Sequence, residues 1–467
     1  MASDPATSNT ALAVITDLGS LRADDADDGP VRFLHSSDLH LGSADAALQA
    51  FENLVAVALK RSVDLVVFGG DVYDTAERSA FGQLKFQNGL RTLTREGIRV
   101  FIAHGNHDPV QAGFTPVAPM PDGVYTFTEG LPQTFLMKVG RTRLAVTGVS
   151  FATQSEETNL VEKIAATRVA ADLRIAVVHA NVEGLPGHDN YAGCSREDLS
   201  NSDIHYWALG HIHDRTVTPL PAGRWWAYPG NLQGRSTKAT ECGPKGVLIV
   251  ESLGAGFAEP EFVACDISRF LRVQADVTGA EDLAAAVDQM SEQTTRAIKQ
   301  DNPLDLPTVI RVAVSGATVA HSGLQTLVKD EGKLAELLLA LLPANTTIKS
   351  IALDTSIPYD RSSLAARPDV VGAVLTKLDE LRVAATLGSA TPEYETENAG
   401  SGPAPSTILN GLIEQAARTI GSPARTLTEK SVSLGAISAG EFLDQVERLL
   451  IDRLAPSTED EAEGVVQ

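Results

Sequence analysis

This sequence has few cysteines, no apolar run of membrane-spanning length and fewer basic than acidic residues. Its 467 residues include three cysteines, Cys194, Cys242 and Cys265, whose spacing matches no zinc site and no disulfide framework. No apolar run approaches the roughly 20 residues of a membrane-spanning helix. The N-terminus lacks the basic flank of a signal peptide. We therefore expect a protein of the reducing cytoplasm with no membrane partner.

The shortage of basic residues gives a net charge of −22, from 38 Lys and Arg against 60 Asp and Glu. Such a balance argues at first sight against nucleic acid, because proteins that bind phosphate backbones usually present a basic face. Residues 31–253, however, contain 20 Lys and Arg against 23 Asp and Glu, a net of −3. Most of the excess acid lies outside this range, so the net charge does not settle the class of substrate.

The length of the chain predicts two or three domains, and changes in composition indicate where they divide. The first 30 residues are polar and acidic, and a stretch near residue 390 is rich in Gly, Ser, Pro and Glu. The predicted parts are a disordered acidic N-terminus (1–30), a first domain (31–253), a smaller second domain (265–360), a helix (361–384), a linker (385–407), a helical C-terminal segment (408–455) and an acidic tail (456–467).

Short apolar segments alternate with helical patterns in the first domain. The strand candidates are VRFLHS, DLVVFGG, RVFIAHG, RLAVTGVS, RIAVVHA and IHYWALG. This alternation predicts a mixed α/β layer architecture. The second domain has a β-α-β-α-β pattern, with helices expected over residues 280–299 and 323–342, and contains no cluster of candidate catalytic residues.

Aspartate, asparagine and histidine follow the strand candidates of the first domain. In chain order these residues are Asp38, His40, Asp71, Asn106, His107, Asp108, His179, His211 and His213. A glycine directly precedes Asp71, Asn106 and His211, which lets the backbone turn tightly there. The carboxyl ends of strands form the ligand crevice of an open α/β sheet, so we expect these side chains to converge.

Such a set of side chains has the chemistry of a metal site. Carboxylate, imidazole and amide oxygen suit Mn²⁺, Fe²⁺ or Zn²⁺, and the set offers no thiolate. Two ions held about 4 Å apart bind both a nucleophile and a reacting phosphate. They need a carboxylate between them, and Asp71 is the natural bridge.

The motifs DLH, GDVYD, GNHD, a lone His and GHIH, in that order, resemble those of the calcineurin-like metallophosphoesterases. The resemblance implies a four-layer α-β-β-α sandwich, with Asp38, His40, Asp71 and His213 at one metal and Asp71, Asn106, His179 and His211 at the other. It also implies that His107 is the catalytic histidine that assists departure of the leaving oxygen. Asp108 would then orient its imidazole through a hydrogen bond.

Flanking sequence narrows the resemblance to bacterial DNA repair exonucleases of the SbcD/YhaO type. HSSDLHLG, GHDNYAGCSREDL, YWALGHIH and YPGNLQGR carry it, and it covers roughly residues 31–253. It implies a DNA exonuclease with two divalent ions, most often Mn²⁺ with Fe²⁺, Zn²⁺ or Mg²⁺ as substitutes. Residues 265–360 would be a small α+β capping domain, followed by the helical C-terminal segment. The implied partners are DNA, a coiled-coil ATPase of the SbcC kind and a second copy of the chain.

Two alternatives remain open from the sequence. One is a phosphoesterase for nucleotides or phosphoproteins that shares the same metal core. The other is a non-catalytic member of a DNA-bound complex, although intact residues at every motif position count against it.

Further candidates lie near the metal motifs. Arg235, Lys238 and Lys245 follow the last motif and are able to hold nucleic-acid phosphates. His188 lies in the glycine-rich GLPGHDNYAG, where a flexible loop would approach substrate. Some related nucleases have histidine at the position of Asp74. We expect Asp74 to support the metal site or to fix a loop.

Overall fold

A computed structural model describes residues 14–21 and 29–388, except 43, 76–77, 114, 185–190 and 331, together with residues 443–444, 446–447 and 451. The chain divides into two compact units. The first comprises residues 1–273, 294–312 and 341–350, and the second comprises residues 274–293, 313–340 and 351–467.

The described residues form two seven-stranded sheets and one three-stranded sheet. The strands are β1 (Val14–Ser20), β2 (Arg32–Ser36), β3 (Leu65–Gly69), β4 (Arg99–Ala103), β5 (Val124–Thr126), β6 (Gln133–Val139), β7 (Thr142–Gly148), β8 (Leu173–His179), β9 (Tyr206–Gly210), β10 (Thr216–Leu220), β11 (Arg224–Tyr228), β12 (Gly246–Leu253), β13 (Gly256–Phe257), β14 (Glu261–Ala264), β15 (Arg269–Asp276), β16 (Thr308–Ala317) and β17 (Thr346–Ser356).

Helices connect many of these strands. The α-helices are α1 (Asp45–Lys60), α2 (Ala80–Arg95), α3 (Leu160–Ala165), α4 (Arg196–Ser200), α5 (Leu283–Asp301), α6 (His321–Lys329), α7 (Lys333–Leu339), α8 (Arg361–Ala365) and α9 (Val370–Gly388). Val110–Ala112 and Ala239–Glu241 are single turns of 3₁₀-helix. No helix among the described residues is both long and apolar enough to cross a membrane.

The two large sheets face each other with helices outside them. One sheet has the order β1-β6-β7-β8-β9-β11-β10, and the other has the order β13-β12-β2-β3-β4-β5 with β14 also paired to β12. Buried residues of both sheets share one core, with Phe33 and Val67 from one sheet and Val146 and Ile175 from the other. The predicted α-β-β-α sandwich is therefore confirmed.

The outer layers follow from amphipathic spacing. Helix α1 buries Leu48, Phe51, Leu54 and Val55, a spacing of three to four residues that forms one face. That face packs with residues of α2 against the sheet that contains β3. Helices α3 and α4 cover the other sheet in the same way. Strand β3 is buried throughout because both its faces are covered.

Parallel pairing brings the ends of the key strands to common edges. Strands β2, β3 and β4 are parallel neighbours, as are β7, β8 and β9. The predicted metal-site residues lie at the ends of β2, β3, β4, β8 and β9, with His179 as the last residue of β8 and the others in the loops that follow their strands. The topology thus places all five motifs at the carboxyl ends of parallel strands.

The N-terminal prediction is wrong in part. Residues 14–20 lie in the region that the sequence indicates to be disordered, yet they form β1, which pairs in parallel with β6. Its side chains are mostly exposed. The strand is fixed by backbone hydrogen bonds at a sheet edge, which composition does not reveal.

Two helix predictions also need correction. The segment 361–384 contains two helices, because Pro368 lies between α8 and α9 and disfavours helical backbone in the preceding residue. The helix expected over 323–342 divides into α6 and α7, with Gly332 in a left-handed conformation before α7. Strands β15, β16 and β17 form the three-stranded sheet in the order of the predicted β-α-β-α-β pattern.

In the second unit, α9 packs against residues from the far end of the chain. Leu375 and Leu378 share a buried cluster with Leu443 and Val446. Most of the predicted linker, C-terminal segment and acidic tail lies outside the described residues.

Candidate metal centre

The site begins with backbone that bends sharply at the strand ends. Asp38, His40, Asp71 and His211 all have positive φ, between 48° and 105°. For residues other than glycine this conformation costs on the order of 1–3 kcal/mol each and persists where the surroundings enforce it. Backbone hydrogen bonds between the neighbouring loops do so here, including Asp38 N to Gly70 O (3.0 Å) and His40 N to Asp71 O (3.1 Å).

One group of donors contains Asp38, His40 and His213. The Nε2 atoms of His40 and His213 lie 3.1 Å apart, and His213 Nε2 lies 3.8 Å from Asp38 Oδ1. One potential ligand atom from each of the three residues lies within 4.8 Å of the others. The set is therefore compact enough to hold one cation.

A second group contains Asp38, Asp71 and His179 under the same 4.8 Å criterion. His179 Nε2 lies 3.5 Å from Asp71 Oδ2 and 3.0 Å from Asn106 Oδ1. The other ring nitrogen, Nδ1, lies 3.0 Å from the carbonyl oxygen of Gly69, so it must carry the proton. Nε2 is then left unprotonated in the neutral ring and faces Asp71 and Asn106.

His211 lies at the edge of the second group. Its ring centroid is 5.1 Å from that of His179, and its backbone N–H donates to the carboxylate of Asp38 at 3.1 Å. Five of the seven predicted metal ligands thus lie in these two groups, Asn106 contacts His179, and the ring of His211 lies beside that of His179.

The electrostatics leave negative charge without full compensation. Burial raises the pKa of Asp71 well above its usual range, and the charges of Asp38 and Asp108 add to the effect. Burial also acts to raise the pKa of Asp38, but the neighbouring imidazoles, led by His179, outweigh it and hold that pKa well below its usual range. A divalent cation would remove the mutual repulsion of these carboxylates.

The imidazoles are in the form that binds metal. Burial lowers the pKa of His40 to about 4, against a smaller raising effect of Asp74, and burial lowers the pKa of His179 as well. Both rings are therefore neutral at pH 7, as ligation requires. Carboxylates, neutral imidazoles and an amide oxygen, without thiolate, fit the divalent ions expected from the sequence.

Two glycines make room for the ligands. A Cβ atom at Gly70, where φ is +108°, would lie 2.5 Å from His179 Nδ1. A Cβ atom at Gly105 would lie 2.3 Å from Asp71 Oδ1. Neither position accepts a side chain without displacing a candidate ligand.

The predicted role of Asp108 is wrong in its geometry. The Asp108 carboxylate is fully buried and accepts from the backbone N–H groups of Val72, Tyr73 and Gly105. Its Oδ2 also lies 3.0 Å from Nδ1 of His104. The expected hydrogen bond to the imidazole of His107 is replaced by these contacts, so Asp108 holds the loops together.

His107 is oriented instead by Asp74. Nδ1 of His107 lies 2.8 Å from the backbone carbonyl oxygen of Asp74. The side chain of Asp74 accepts from Arg235 Nη1 at 2.7 Å and lies 3.3 Å from His40 Nδ1. The expected supporting position of Asp74 is thus the one that the structure shows.

The predicted substrate-binding residues have different positions. Arg235 is partly exposed at the rim through its contact with Asp74, and Lys238 is exposed three residues further on. Lys245 is buried, with Nζ donating to the carbonyl oxygens of His213 and Thr240. Its burial and these two bonds turn the ammonium group inward, which contradicts the expectation that it holds a phosphate. His188 lies outside the described residues.

Sequence reasoning missed Glu241. It ends the 3₁₀ turn Ala239–Glu241, and its Oε1 lies 2.8 Å from Nδ1 of His213. It stands in the segment KATECGPKG, which has no pattern typical of a metal motif. Only its contact with His213 in the folded chain reveals it.

An α-β-β-α sandwich with aspartate, histidine and asparagine converging at its strand ends defines a metallophosphoesterase domain. Residues 31–215 match the calcineurin-like phosphoesterase family. The chain therefore contains a calcineurin-like metallophosphoesterase domain, a domain of hydrolases that use divalent metal ions, and its homologues include YhaO, Mre11 and SbcD.

Three similar proteins show the range of these homologues. The uncharacterized metallophosphoesterase YhaO of Bacillus subtilis is 28% identical over 298 residues, covering 60% of this chain and 71% of that protein. The DNA double-strand break repair protein Mre11 of Aeropyrum pernix is 28% identical over 221 residues, covering 43% of this chain and 53% of that protein. The SbcD component of the nuclease SbcCD of Escherichia coli is 33% identical over 87 residues, covering 17% of this chain and 22% of that protein.

Proposed function

We propose that this protein is a metal-dependent phosphodiesterase that hydrolyses DNA from its ends in the course of DNA repair. The observation that carries the proposal is the convergence of aspartate and histidine donors from separate strand ends into groups within 4.8 Å. The names of the Mre11 and SbcD relatives support DNA as the substrate.

In this proposal two divalent ions occupy the site. Asp38, His40, Asp71 and His213 hold one ion, and Asp71, Asn106, His179 and His211 hold the other, with Asp71 shared. The spacing of the donors and the raised pKa of Asp71 support the assignment. Mn²⁺ is the proposed ion, with Fe²⁺, Zn²⁺ or Mg²⁺ as substitutes.

When bound, the two ions supply Lewis acidity that activates water and neutralises the charge of the reacting phosphate. His107 then acts as the catalytic residue at the leaving group. Its Nδ1–H is committed to the carbonyl of Asp74, so the ring gives a proton from Nε2 to the departing sugar oxygen when it is in the imidazolium form, and is left as the neutral imidazole. Arg235, at the rim, holds a phosphate of the DNA backbone, and Lys238 and His188 add weaker contacts.

The remaining parts of the proposal concern the rest of the chain. Residues 265–360 form a capping domain that governs which DNA ends reach the ions. A coiled-coil ATPase and a second copy of the chain are the proposed protein partners, and the cytoplasm is the proposed location.

The test is degradation of end-labelled duplex DNA with Mn²⁺, with Asp71→Asn as the inactive control. We expect shortening of the labelled strand that depends on Mn²⁺ and is lost in the variant. A panel of single-stranded DNA, cyclic nucleotides, phosphopeptides and p-nitrophenyl esters accompanies the assay. Turnover of the small esters without cleavage of DNA would replace the DNA proposal with a nucleotide or phosphoprotein phosphoesterase. Metal binding without any hydrolysis would favour a non-catalytic role in a DNA-bound complex.

A further inference from the structure

A buried carboxylate stands directly behind one of the candidate metal ligands. The side chain of Glu241 is 7% exposed, and its Oε1 lies 2.8 Å from Nδ1 of His213. Its other oxygen, Oε2, accepts from Asn231 Nδ2 at 2.8 Å and from the backbone N–H of Arg235 at 2.9 Å. Both oxygens of this carboxylate therefore serve as acceptors.

The contact determines the tautomer of His213. Oε2 of Glu241 accepts from two N–H donors, and Oε1 faces Nδ1 of His213. Both oxygens are thus placed as acceptors, so Nδ1 of His213 carries the proton. In the neutral ring, Nε2 then keeps its lone pair on the side that faces His40 and Asp38.

Glu241 is in turn held by a short chain of buried amides. Asn231 Nδ2 also donates to the backbone carbonyl of Gln233 at 2.8 Å. The side chain of Gln233 donates to the carbonyl oxygen of Ser268 and accepts from the backbone N–H of Ile267, at 2.9 and 3.0 Å. Oε2 of the carboxylate is therefore anchored by Asn231 and the Arg235 main chain, while Oε1 is directed at His213.

We propose that Glu241 is a positioning residue that fixes His213 as a metal ligand through Nε2, and that Asn231 keeps Glu241 in place. The proposal rests on the metal site of the proposed function and adds a residue to it. Outer hydrogen-bond partners of this kind change metal affinity by about 10–100-fold.

The isosteric change Glu241→Gln tests the proposal sharply. Glutamine has one acceptor oxygen and one donor NH₂, whereas the pocket presents donors to both positions. If the NH₂ group faces Asn231 and the Arg235 N–H, donors oppose donors. If it faces His213, it favours the tautomer protonated at Nε2, which cannot bind a metal through that atom. Either arrangement weakens the site at His213 and leaves the site at His179 intact.

The experiment is titration of metal-free full-length protein with Mn²⁺, followed by calorimetry and equilibrium dialysis. We expect wild type to bind two ions and Glu241→Gln to bind one of them about 10–100-fold more weakly. DNA cleavage by the variant should fall at limiting Mn²⁺ and recover as Mn²⁺ is raised, which a general loss of structure would not produce. The matched control is Glu251→Gln. This variant makes the same chemical change at a glutamate that forms a partly exposed ion pair with Arg32.

If folded Glu241→Gln binds both Mn²⁺ ions with wild-type affinity, this proposal is wrong and the proposed function still stands. Absence of Mn²⁺ binding by wild type would overturn the proposed function itself. Should the variant not fold, the imidazole nitrogens of His213 in metal-free wild type provide the second measurement, by ¹⁵N NMR. The proposal requires the tautomer protonated at Nδ1, and protonation at Nε2 alone would refute it.

Discussion

The ring of His107 and the backbone carbonyl of Asp74 are joined by a hydrogen bond of 2.8 Å. The backbone N–H of His107 also donates to Oδ1 of Asp71 at 2.9 Å. His107 is therefore held by its neighbours through both its ring and its main chain. The first of these bonds takes the place that the sequence assigned to Asp108.

Replacing His107 with alanine should separate catalysis from metal binding. The backbone bond to Asp71 survives the change, so we expect metal content to stay at the wild-type value. Loss of the proton donor should lower kcat for DNA cleavage by about 10²–10⁴-fold. Metal analysis checks the metal content, and single-turnover cleavage of labelled duplex DNA checks the loss of catalysis. Unchanged turnover would remove His107 from the mechanism.

Asp108→Ala should act on stability first. The change leaves the buried N–H groups of Val72, Tyr73 and Gly105 without their acceptor, at a cost of about 3 kcal/mol in the free energy of unfolding. Urea denaturation of metal-free protein measures it, with the exposed Asp122→Ala as control. An Asp108 variant of wild-type stability with selectively impaired catalysis would restore the role expected from the sequence.

Arg235→Ala should weaken DNA binding in a salt-dependent way. Its guanidinium lies at the rim beside Asp74, where removal of one phosphate contact lowers the slope of log Kd against log salt by about one. Lys238→Ala should have a smaller effect. Lys60→Ala is the control, because α1 ends there, shortly before the start of β3 and hence at the edge opposite the site. Equal slopes for wild type and Arg235→Ala, from fluorescence anisotropy, would contradict the assignment.

Acid should destabilise the metal-free protein partly through His35. Burial lowers the pKa of His35 to about 3, against smaller raising effects of the Leu209 carbonyl and Asp38. The unfolded chain takes up a proton at this residue below about pH 6.5, but the folded chain does not until about pH 3. The contribution of His35 to stability is thus complete above pH 6.5 and declines as the pH falls towards 3.

His35→Gln tests this pH dependence. We expect about 2 kcal/mol less loss of unfolding free energy between pH 7 and pH 5 than in wild type. The pKa values of His40 and His179 are also lowered, so these residues contribute to the pH dependence in both proteins. The quantity to compare is therefore the difference in unfolding free energy between wild type and His35→Gln at each pH. Parallel pH profiles in urea denaturation would show that His35 is not responsible.

The sequence predicted a layered α/β architecture and a convergence of polar side chains at strand ends because both depend on local patterns, whereas the α-β-β-α sandwich and the assignment of ligands came from the family resemblance. Apolar strands form the layers of the sandwich. The carboxyl ends of parallel strands meet at one edge of the sheet, so polar residues that follow these strands must lie at that edge. Pairing of β1 could not be predicted in the same way, because its side chains remain mostly exposed and its backbone bonds join it to a distant strand.

The supporting contacts were beyond the reach of sequence patterns for a related reason. The family resemblance implied that Asp108 orients His107, its neighbour in sequence, but the carboxylate of Asp108 is directed at Val72, Tyr73, His104 and Gly105 instead. Glu241 comes from a short 3₁₀ turn and meets His213, 28 residues earlier, only after folding. Hydrogen-bond partners across loops depend on tertiary geometry, whereas motif residues are revealed by their order along the chain.

Gly70 and Gly105 limit how this pocket can be altered by random mutation. At each position even the smallest added group would collide with a candidate metal ligand. A saturation library at these two codons, screened for metal retention, would return the parental residue alone, while the outer face of α1 would tolerate wide variation. To enlarge the pocket for a bulkier ester, substitutions would therefore have to be made near Arg235, with Gly70 and Gly105 kept unchanged.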